Sequence, residues 1–218
     1  TTGQGSSGDT DIIYLTGVNQ LHSGIEVEGH AQLNDMFRLD AAASIGTWVF
    51  DGDAVGNYKS YGEEGTVTTT YEYALDGLYV GDMPQQGLVL GGTVTPMPGL
   101  KVQALFNWFN RNFSDWSPGD REMSGGDADR EQVWEAPSYS KLDLHATFDI
   151  PSTFDLGGST VTMKAFVHVF NALDDVFIQD AVDNSQYNSW GGGSHDADNA
   201  EVFLGHPQYF NAGIIFNF

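Results

Sequence analysis

Residues 209–218 of the sequence, YFNAGIIFNF, decide the fold class. Every second residue from Phe210 to Phe218 is apolar, whereas the residues between them are largely polar. Side chains of a β-strand alternate between its two faces, so this stretch predicts a strand with one apolar and one polar face. The strand ends the sequence on an aromatic residue, Phe218.

The same alternation recurs upstream. Within KLDLHATFDI at 141–150, Leu142 and Leu144 share one side, while Asp143 and His145 share the other. Charged side chains at alternate positions cannot face lipid, so they are expected to face an aqueous interior. Strands are predicted at 11–17, 24–34, 37–50, 86–95, 101–113, 141–150, 160–170 and 209–218.

Connections between these strands alternate between short and long. Turn residues form the short connections, at 34–36, 96–100 and 151–158. Segments rich in acids and turn residues form the long loops, at 51–84, 114–137 and 172–206, the first with some strand of its own. Antiparallel succession then places every short turn at one end and every long loop at the other. The expected fold is all-β, an antiparallel transmembrane β-barrel with about eight strands present.

Composition and charge limit the function classes. Residues 1–10, TTGQGSSGDT, have the composition of a flexible tail, which leaves 11–218 for strands and loops. The chain has 30 acidic and 8 basic residues, a net charge of -22, so nucleic acid is excluded as a partner. The long loops hold most of the acids. They are interpreted as a vestibule for cationic or metal-bearing ligands, as calcium sites, or as a solvated, salt-adapted surface.

One acidic turn has spacing that suits a metal ion. In DGDAVGN at 51–57, Asp51, Asp53 and Asn57 are candidate oxygen ligands for calcium. The turn lacks the later glutamate of the helix-loop-helix calcium motif, and a turn rich in Gly and Asp is the alternative explanation.

Aromatic and histidine residues supply the remaining candidates. Aromatic platforms suit sugars and flat ligands, although loop aromatics also pack loops together. The candidate ligand-binding residues are Trp116, Trp134, Tyr187 and Trp190. Three histidines, His30, His145 and His168, are predicted to face inward, where hydrogen bonding within the wall is favoured over metal ligation. No nucleophile motif such as GxSxG is present, so an enzyme is not expected.

Several stretches together resemble the C-terminal part of TonB-dependent outer-membrane receptors, of the kind typical of Bacteroidetes-like bacteria. The resemblance covers roughly residues 11–218. Its residues are LHSGIEVEGHAQL (21–33), LDAAASIGTWVF (39–50), GLYVGDMPQQGLVLGG (77–92), WEAPSYSKLDLHATFDI (134–150), VHVFNALDDVFIQDAVDNSQYN (167–188) and GHPQYFNAGIIFNF (205–218).

This resemblance implies a bacterial outer-membrane location and a 22-stranded barrel with an N-terminal plug. Phe218 would be the membrane-assembly signal, and the chain would be the last part of the barrel. The plug and the earlier strands would belong to the same or another polypeptide. Expected partners are outer-membrane lipid, those missing parts, TonB acting through the plug, and a small-molecule ligand. The implied function is import of a scarce solute such as a siderophore, metal complex, cofactor or oligosaccharide.

Two alternatives stay open. A complete eight-stranded barrel with a structural or adhesive role would have an interior filled by side chains. A secreted carbohydrate-binding β-sandwich would bury its apolar faces internally, and it would be soluble without detergent.

Overall fold

The computed structural model describes residues 2–4, 10–62, 65–123, 129–184 and 194–218. Regular structure in these ranges is almost entirely β, apart from a short helix, α1 (Pro118–Arg121). The strands are β1 (Thr2–Gln4), β2 (Thr10–Thr16), β3 (Gln20–Gln32), β4 (Phe37–Phe50), β5 (Ala54–Gly62), β6 (Gly65–Tyr73), β7 (Gln86–Met97), β8 (Leu100–Asn110), β9 (Asn112–Phe113), β10 (Glu135–Ala136), β11 (Tyr139–Leu156), β12 (Ser159–Phe170), β13 (Ile178–Val182), β14 (Glu201–Leu204) and β15 (Tyr209–Asn217). None of the described residues forms a helix long and apolar enough to span a membrane.

One sheet dominates the described part of the chain. Strands β15, β12, β11, β8, β7, β4 and β3 lie side by side in that order, and every neighbouring pair is antiparallel. We name this the main sheet. It contains all the predicted strands except the one at 11–17, so the all-β antiparallel class is confirmed. Strands β3 and β15 are its edges, and no described strand joins them into a closed barrel.

Cross-strand pairing gives the main sheet two chemically different faces. One row of facing residues consists of Ala31, Leu39, Gly92, Ala104, Leu144, Val169 and Phe210. The neighbouring row on the opposite face consists of Gln32, Arg38, Thr93, Gln103, His145, His168 and Asn211. The predicted alternation is therefore confirmed across all the strands of this sheet, as one apolar face and one polar face.

Exposure is reversed relative to a water-soluble sheet. On the apolar face, Ile45 and Val27 are 65% and 64% exposed, whereas on the polar face Thr93 and Asp143 are only 8% and 7% exposed. Val161, also expected on the apolar side, departs from this trend because it is fully buried. The main sheet thus has no apolar core on its hydrophobic side within the described residues.

Strand β2 differs from its expected place in the barrel. It pairs with β5, so that β2 and β3 together run along β4 and β5 as one long ribbon. Between the two ladders, residues 17–19 face the longer segment 51–54, which interrupts the register. Strands β1, β2, β5 and β6 form a separate sheet, and the predicted loop at 51–84 therefore contains two full strands.

Two short turns are tighter than the sequence indicated. Strand β7 continues through Pro96 to Met97, and β11 continues through Pro151 to Leu156. Proline lacks an N–H group, and both prolines lie where the strand register shifts, the position in a sheet that tolerates this loss. The turns themselves are at 98–99 and 157–158, with Gly99 at a φ of 83°.

The buried core lies at one end of the main sheet, beside the long connections. Its members are Phe50, Ala54, Tyr73, Leu75, Leu78, Phe113 and Val133. All of them come from strand ends or from the long connections. The long connections therefore fold against the sheet end with a core of their own.

Candidate functional site

The three long connections pack on one another at the end of the main sheet opposite the short turns. We name their described parts the loop cap: 51–62, 65–84, 114–123, 129–137, 172–184 and 194–206. Gln132 joins the first two connections, because its Nε2 donates to the Gly77 carbonyl at 2.7 Å and its Oε1 accepts from the Tyr79 N–H at 3.0 Å. Asp115 joins the second to the third, since its N–H donates to the Ala181 carbonyl at 2.7 Å.

A buried ionic cluster lies within the loop cap. The Arg121 side chain is 1% exposed, and its Nη1 donates to the Glu131 carbonyl at 2.8 Å. Its Nη2 lies 3.5 Å from the Asp183 carboxylate, which is 2% exposed. A guanidinium is nearly always charged, so this pair is needed to compensate a buried positive charge.

His195 completes this cluster. Its Nδ1 hydrogen-bonds to Asp183, and its Nε2 lies 2.8 Å from the Asp129 carboxylate. Burial alone would lower the pKa of His195, but the hydrogen bonds to Asp183 and Asp129 raise the pKa above its ordinary value. Through its hydrogen bond to Asp129, His195 therefore links the third connection to the second.

A second set of acids interacts with one another, and no arginine, lysine or histidine of the described residues pairs with them. Asp82, Asp115 and Asp180 come from the three different connections and interact with one another. Burial, followed by the charges of Asp82 and Asp180, raises the pKa of Asp115 to about 6. Sequence reasoning missed this set, because its members are far apart in the chain.

Two of the predicted calcium ligands belong to different hydrogen-bond sets. Arg130 donates to both carboxylate oxygens of Asp53, at 3.1 and 2.8 Å. The N–H groups of Leu75 and Asp76 donate to Asp53 Oδ1 at 3.0 Å. Asn57 instead accepts from the Thr70 hydroxyl at 3.1 Å.

Asp51, the third predicted ligand, uses its backbone N–H to bond the Asn19 carbonyl. Within the described ranges, no group of three or more acidic, His or Cys residues is arranged to hold a metal ion. The calcium site at 51–57 therefore stays a prediction, with its central carboxylate already bound to an arginine.

The predicted aromatic residues divide between packing and undescribed segments. Trp116 packs beside Tyr73, with ring centroids 5.6 Å apart, and contacts the buried core. The Trp134 carbonyl accepts from the Ser114 N–H at 2.9 Å, and its side chain is half-buried. Tyr187 and Trp190 lie outside the described residues. Ligand binding by these four residues stays a prediction.

The polar face of the main sheet carries paired charges. Arg38 and Asp40 lie 2.6 Å apart, Lys141 and Asp143 lie 3.5 Å apart, and Lys164 and Asp149 lie 3.3 Å apart. Each pair joins predicted inward-facing residues. Three basic residues of the polar face are thereby paired with acids of the same face.

Two inward-facing histidines meet on this face, although the sequence did not reveal their relative heights. His145 on β11 faces His168 on β12, and their Nδ1 atoms are 2.8 Å apart. His30 lies opposite Asp40 instead, on the same polar face but near the β3 edge of the sheet. The hydrogen bonding that the sequence predicts for these histidines is therefore found between His145 and His168, on the polar face.

Phe218, the predicted assembly signal, directly follows edge strand β15 and is 79% exposed. Its strand neighbour Phe216 is 48% exposed on the apolar face, opposite Met163. The geometry leaves this end of the strand accessible, and the assembly role stays a prediction. Comparison of the chain with protein-family models, with curated proteins and with solved structures found no match.

Proposed function

We propose that the chain forms part of the wall and the extracellular rim of an outer-membrane β-barrel, in a receptor of the TonB-dependent kind that imports a scarce solute. The observation that carries the proposal is the reversed main sheet. Its apolar residues align in register across all seven strands and several of them are largely exposed, whereas Thr93 and Asp143 of the polar face are buried. Barrel walls in lipid have this arrangement, since they are apolar outside and polar within.

The exposed apolar residues lie side by side across the main sheet and are not scattered singly. Monomeric soluble proteins rarely expose contiguous apolar patches above roughly 600 Å². Here a row from Ala31 to Phe210 crosses the whole main sheet, and Phe210 is 74% exposed. A β-sandwich would cover this face with a second sheet, and none of the described strands does so. Contact with lipid explains why this apolar face is exposed without requiring a second protein layer.

Strand length agrees with a bilayer crossing. The apolar alternation of β11 runs from Leu142 to Ile150. A tilted strand crosses the hydrocarbon core with about 9–11 residues, and this stretch matches that length. Phe37 and Phe216, which lie towards the short-turn end, are 44% and 48% exposed. Barrels carry such aromatic girdles at the membrane interface.

The free edges favour a larger barrel over a small closed one. Strands β3 and β15 lie at opposite edges of the main sheet as described. An open edge in lipid leaves backbone N–H and C=O groups without partners, at several kcal/mol each. In the membrane the two edges must pair with each other or with further strands, and the proposal takes further strands because β3 and β15 are not paired with each other in the structure. The family that the sequence resembles supplies further strands within one large barrel, together with a plug through which TonB acts.

The loop cap then forms the outer rim, where ligand arrives. Its net acidity attracts cationic or metal-bearing solutes and repels anions. Its aromatic residues suit flat ligands or sugars, so siderophores, metal complexes, cofactors and oligosaccharides all remain within the proposal.

The test is isolation of the protein from native outer membrane in mild detergent, followed by peptide mapping of everything that migrates with it. The proposal expects peptides of a plug and of further strands, joined to this chain or separate from it. Recovery of the chain alone in detergent, at 23.7 kDa, would support the small barrel and reject the transporter. Recovery from the soluble fraction would reject the membrane wall itself.

A further inference from the structure

The histidine pair on the polar face has an unusual geometry. His145 and His168 lie directly opposite each other on β11 and β12, with their Nδ1 atoms 2.8 Å apart. Their rings are inclined at 65° with centroids 4.8 Å apart. At this separation the Nδ1–H of one neutral ring can donate a hydrogen bond to the Nδ1 lone pair of the other ring. A metal ion can take the place of that proton, with one Nδ1 from each ring as a ligand.

The separation suits a particular metal geometry. With metal–nitrogen bonds of about 2.0–2.1 Å, two nitrogens 2.8 Å apart subtend about 86° at the metal. This is close to the right angle between adjacent ligands of a square-planar or tetragonal ion, and well below the tetrahedral angle of zinc. Copper(II) and nickel(II) prefer the former geometry, and copper(II) binds tightest in the divalent series.

The surroundings hold both rings in place while leaving one side open. His168 stacks on Phe166, with centroids 5.2 Å apart, and His145 meets the edge of Phe170 at 5.5 Å. Both histidines are only half-buried, on the polar face that lies away from the proposed lipid side. Nearby lysines do not oppose a metal here, because Lys141 and Lys164 are already paired with Asp143 and Asp149.

We propose that His145 and His168 form a two-nitrogen site for a transition-metal ion of the copper(II) or nickel(II) kind. The metal takes one Nδ1 from each ring, and the proton that lay between the two nitrogens moves to the Nε2 of its own ring, so that both imidazoles stay neutral. Its remaining positions face the aqueous side, where water or donor atoms of a passing solute complete the coordination. The site needs the pairing of β11 and β12, and it does not depend on transport.

Copper(II) sulfate is the probe, added to the purified full chain in detergent. Electron paramagnetic resonance should show about one tetragonal copper with two imidazole nitrogens. Single variants His145→Gln and His168→Gln should each weaken binding at least about 10-fold, since even indirect partners of a metal change affinity by that factor. His30→Gln, a matched change elsewhere on the polar face, should leave the affinity and the spectrum unchanged.

A second measurement covers variants that fail to fold, as judged by circular dichroism. In the unmodified protein, copper should protect His145 and His168 from diethylpyrocarbonate, while His30 is modified at its normal rate. A double variant, His145→Gln with His168→Gln, that folds and keeps the copper spectrum would overturn the proposal. Equal modification of all three histidines with and without copper would overturn it as well.

Discussion

His145 and Ala146 are consecutive in β11, yet they lie on opposite faces of the main sheet. His145 faces His168, whereas Ala146 faces Val167, which is 40% exposed on the apolar face. If that face contacts lipid, Ala146→Arg places a charge in hydrocarbon, at a cost of about 2–4 kcal/mol near the midplane. His145→Arg keeps its charge on the aqueous side.

We therefore expect Ala146→Arg to impair membrane assembly far more than His145→Arg. The measurement is the fraction of each variant that resists protease after insertion into outer-membrane lipid vesicles. Equal losses in the two variants would remove the argument that these faces meet different environments.

The faces of the main sheet were predictable because the evidence for them is local. A period of two, read from Lys141 to Ile150, assigns each side chain to a face without knowledge of the partner strand. Pairing was less predictable. Strand β2 has an ordinary β composition, and nothing local indicates that its partner is β5 rather than a barrel neighbour.

The loop cap was not predictable, because its contacts join distant residues without a period. Arg121 and Asp183 are 62 positions apart, and both are polar residues in segments that look like solvated loops. The histidine pair shows the same limit. Both residues were correctly assigned to the polar face, but the register that brings His145 beside His168 required the structure.

Arg121 and Arg130 offer a test of which ion pair stabilises the loop cap. Arg121 is buried against Asp183, whereas Arg130 is 49% exposed beside Asp53. Removing one partner of a buried pair leaves an uncompensated charge and typically costs about 3–5 kcal/mol. An exposed pair contributes roughly 0–1 kcal/mol.

Arg121→Met should therefore release the loop cap at markedly lower temperature, while Arg130→Met should shift the transition little. Limited proteolysis across a temperature series reports cleavage in the cap separately from cleavage in the sheet. Matching transitions for both variants would contradict the importance of the buried cluster.

A change at Asp53 can distinguish calcium binding at 51–57 from an ion pair between Asp53 and Arg130. The hydrogen bonds from Arg130, opposed by partial burial, lower the pKa of Asp53 to about 2. A lowered folded-state pKa gives stability that is present above the unfolded value of about 3.9 and is lost as pH falls towards 2. Asp53→Ala should thus lower cap stability by about 1 kcal/mol at neutral pH and should weaken its loss at acid pH.

If Arg130 and the N–H groups of Leu75 and Asp76 hold the carboxylate without calcium, the loss of stability in Asp53→Ala is the same with and without a calcium chelator. If calcium binds at 51–57, the chelator lowers the melting temperature of the unmodified chain and has no effect on Asp53→Ala. Melting curves of both proteins, with and without chelator, distinguish the two outcomes.

Asp115 should make the loop cap less stable as pH rises. Burial and the nearby Asp82 and Asp180 raise the pKa of Asp115 to about 6, above the unfolded value of about 3.9. A carboxyl group with a raised folded-state pKa contributes its full stability below the unfolded value and loses it as pH rises through the folded one. The cap is therefore expected to lose stability between about pH 4 and pH 6 through this group.

Asp115→Asn keeps the shape of the side chain and removes its charge, so it should stabilise the cap at pH 7 by about 1 kcal/mol or more and flatten the dependence below it. Asp35→Asn, an equal charge change at an exposed turn, is the control and should do neither. Protease resistance of the cap, measured from pH 4 to pH 8, checks both variants. An unchanged pH profile in Asp115→Asn would contradict the raised pKa of Asp115 and its role in the pH dependence of the cap.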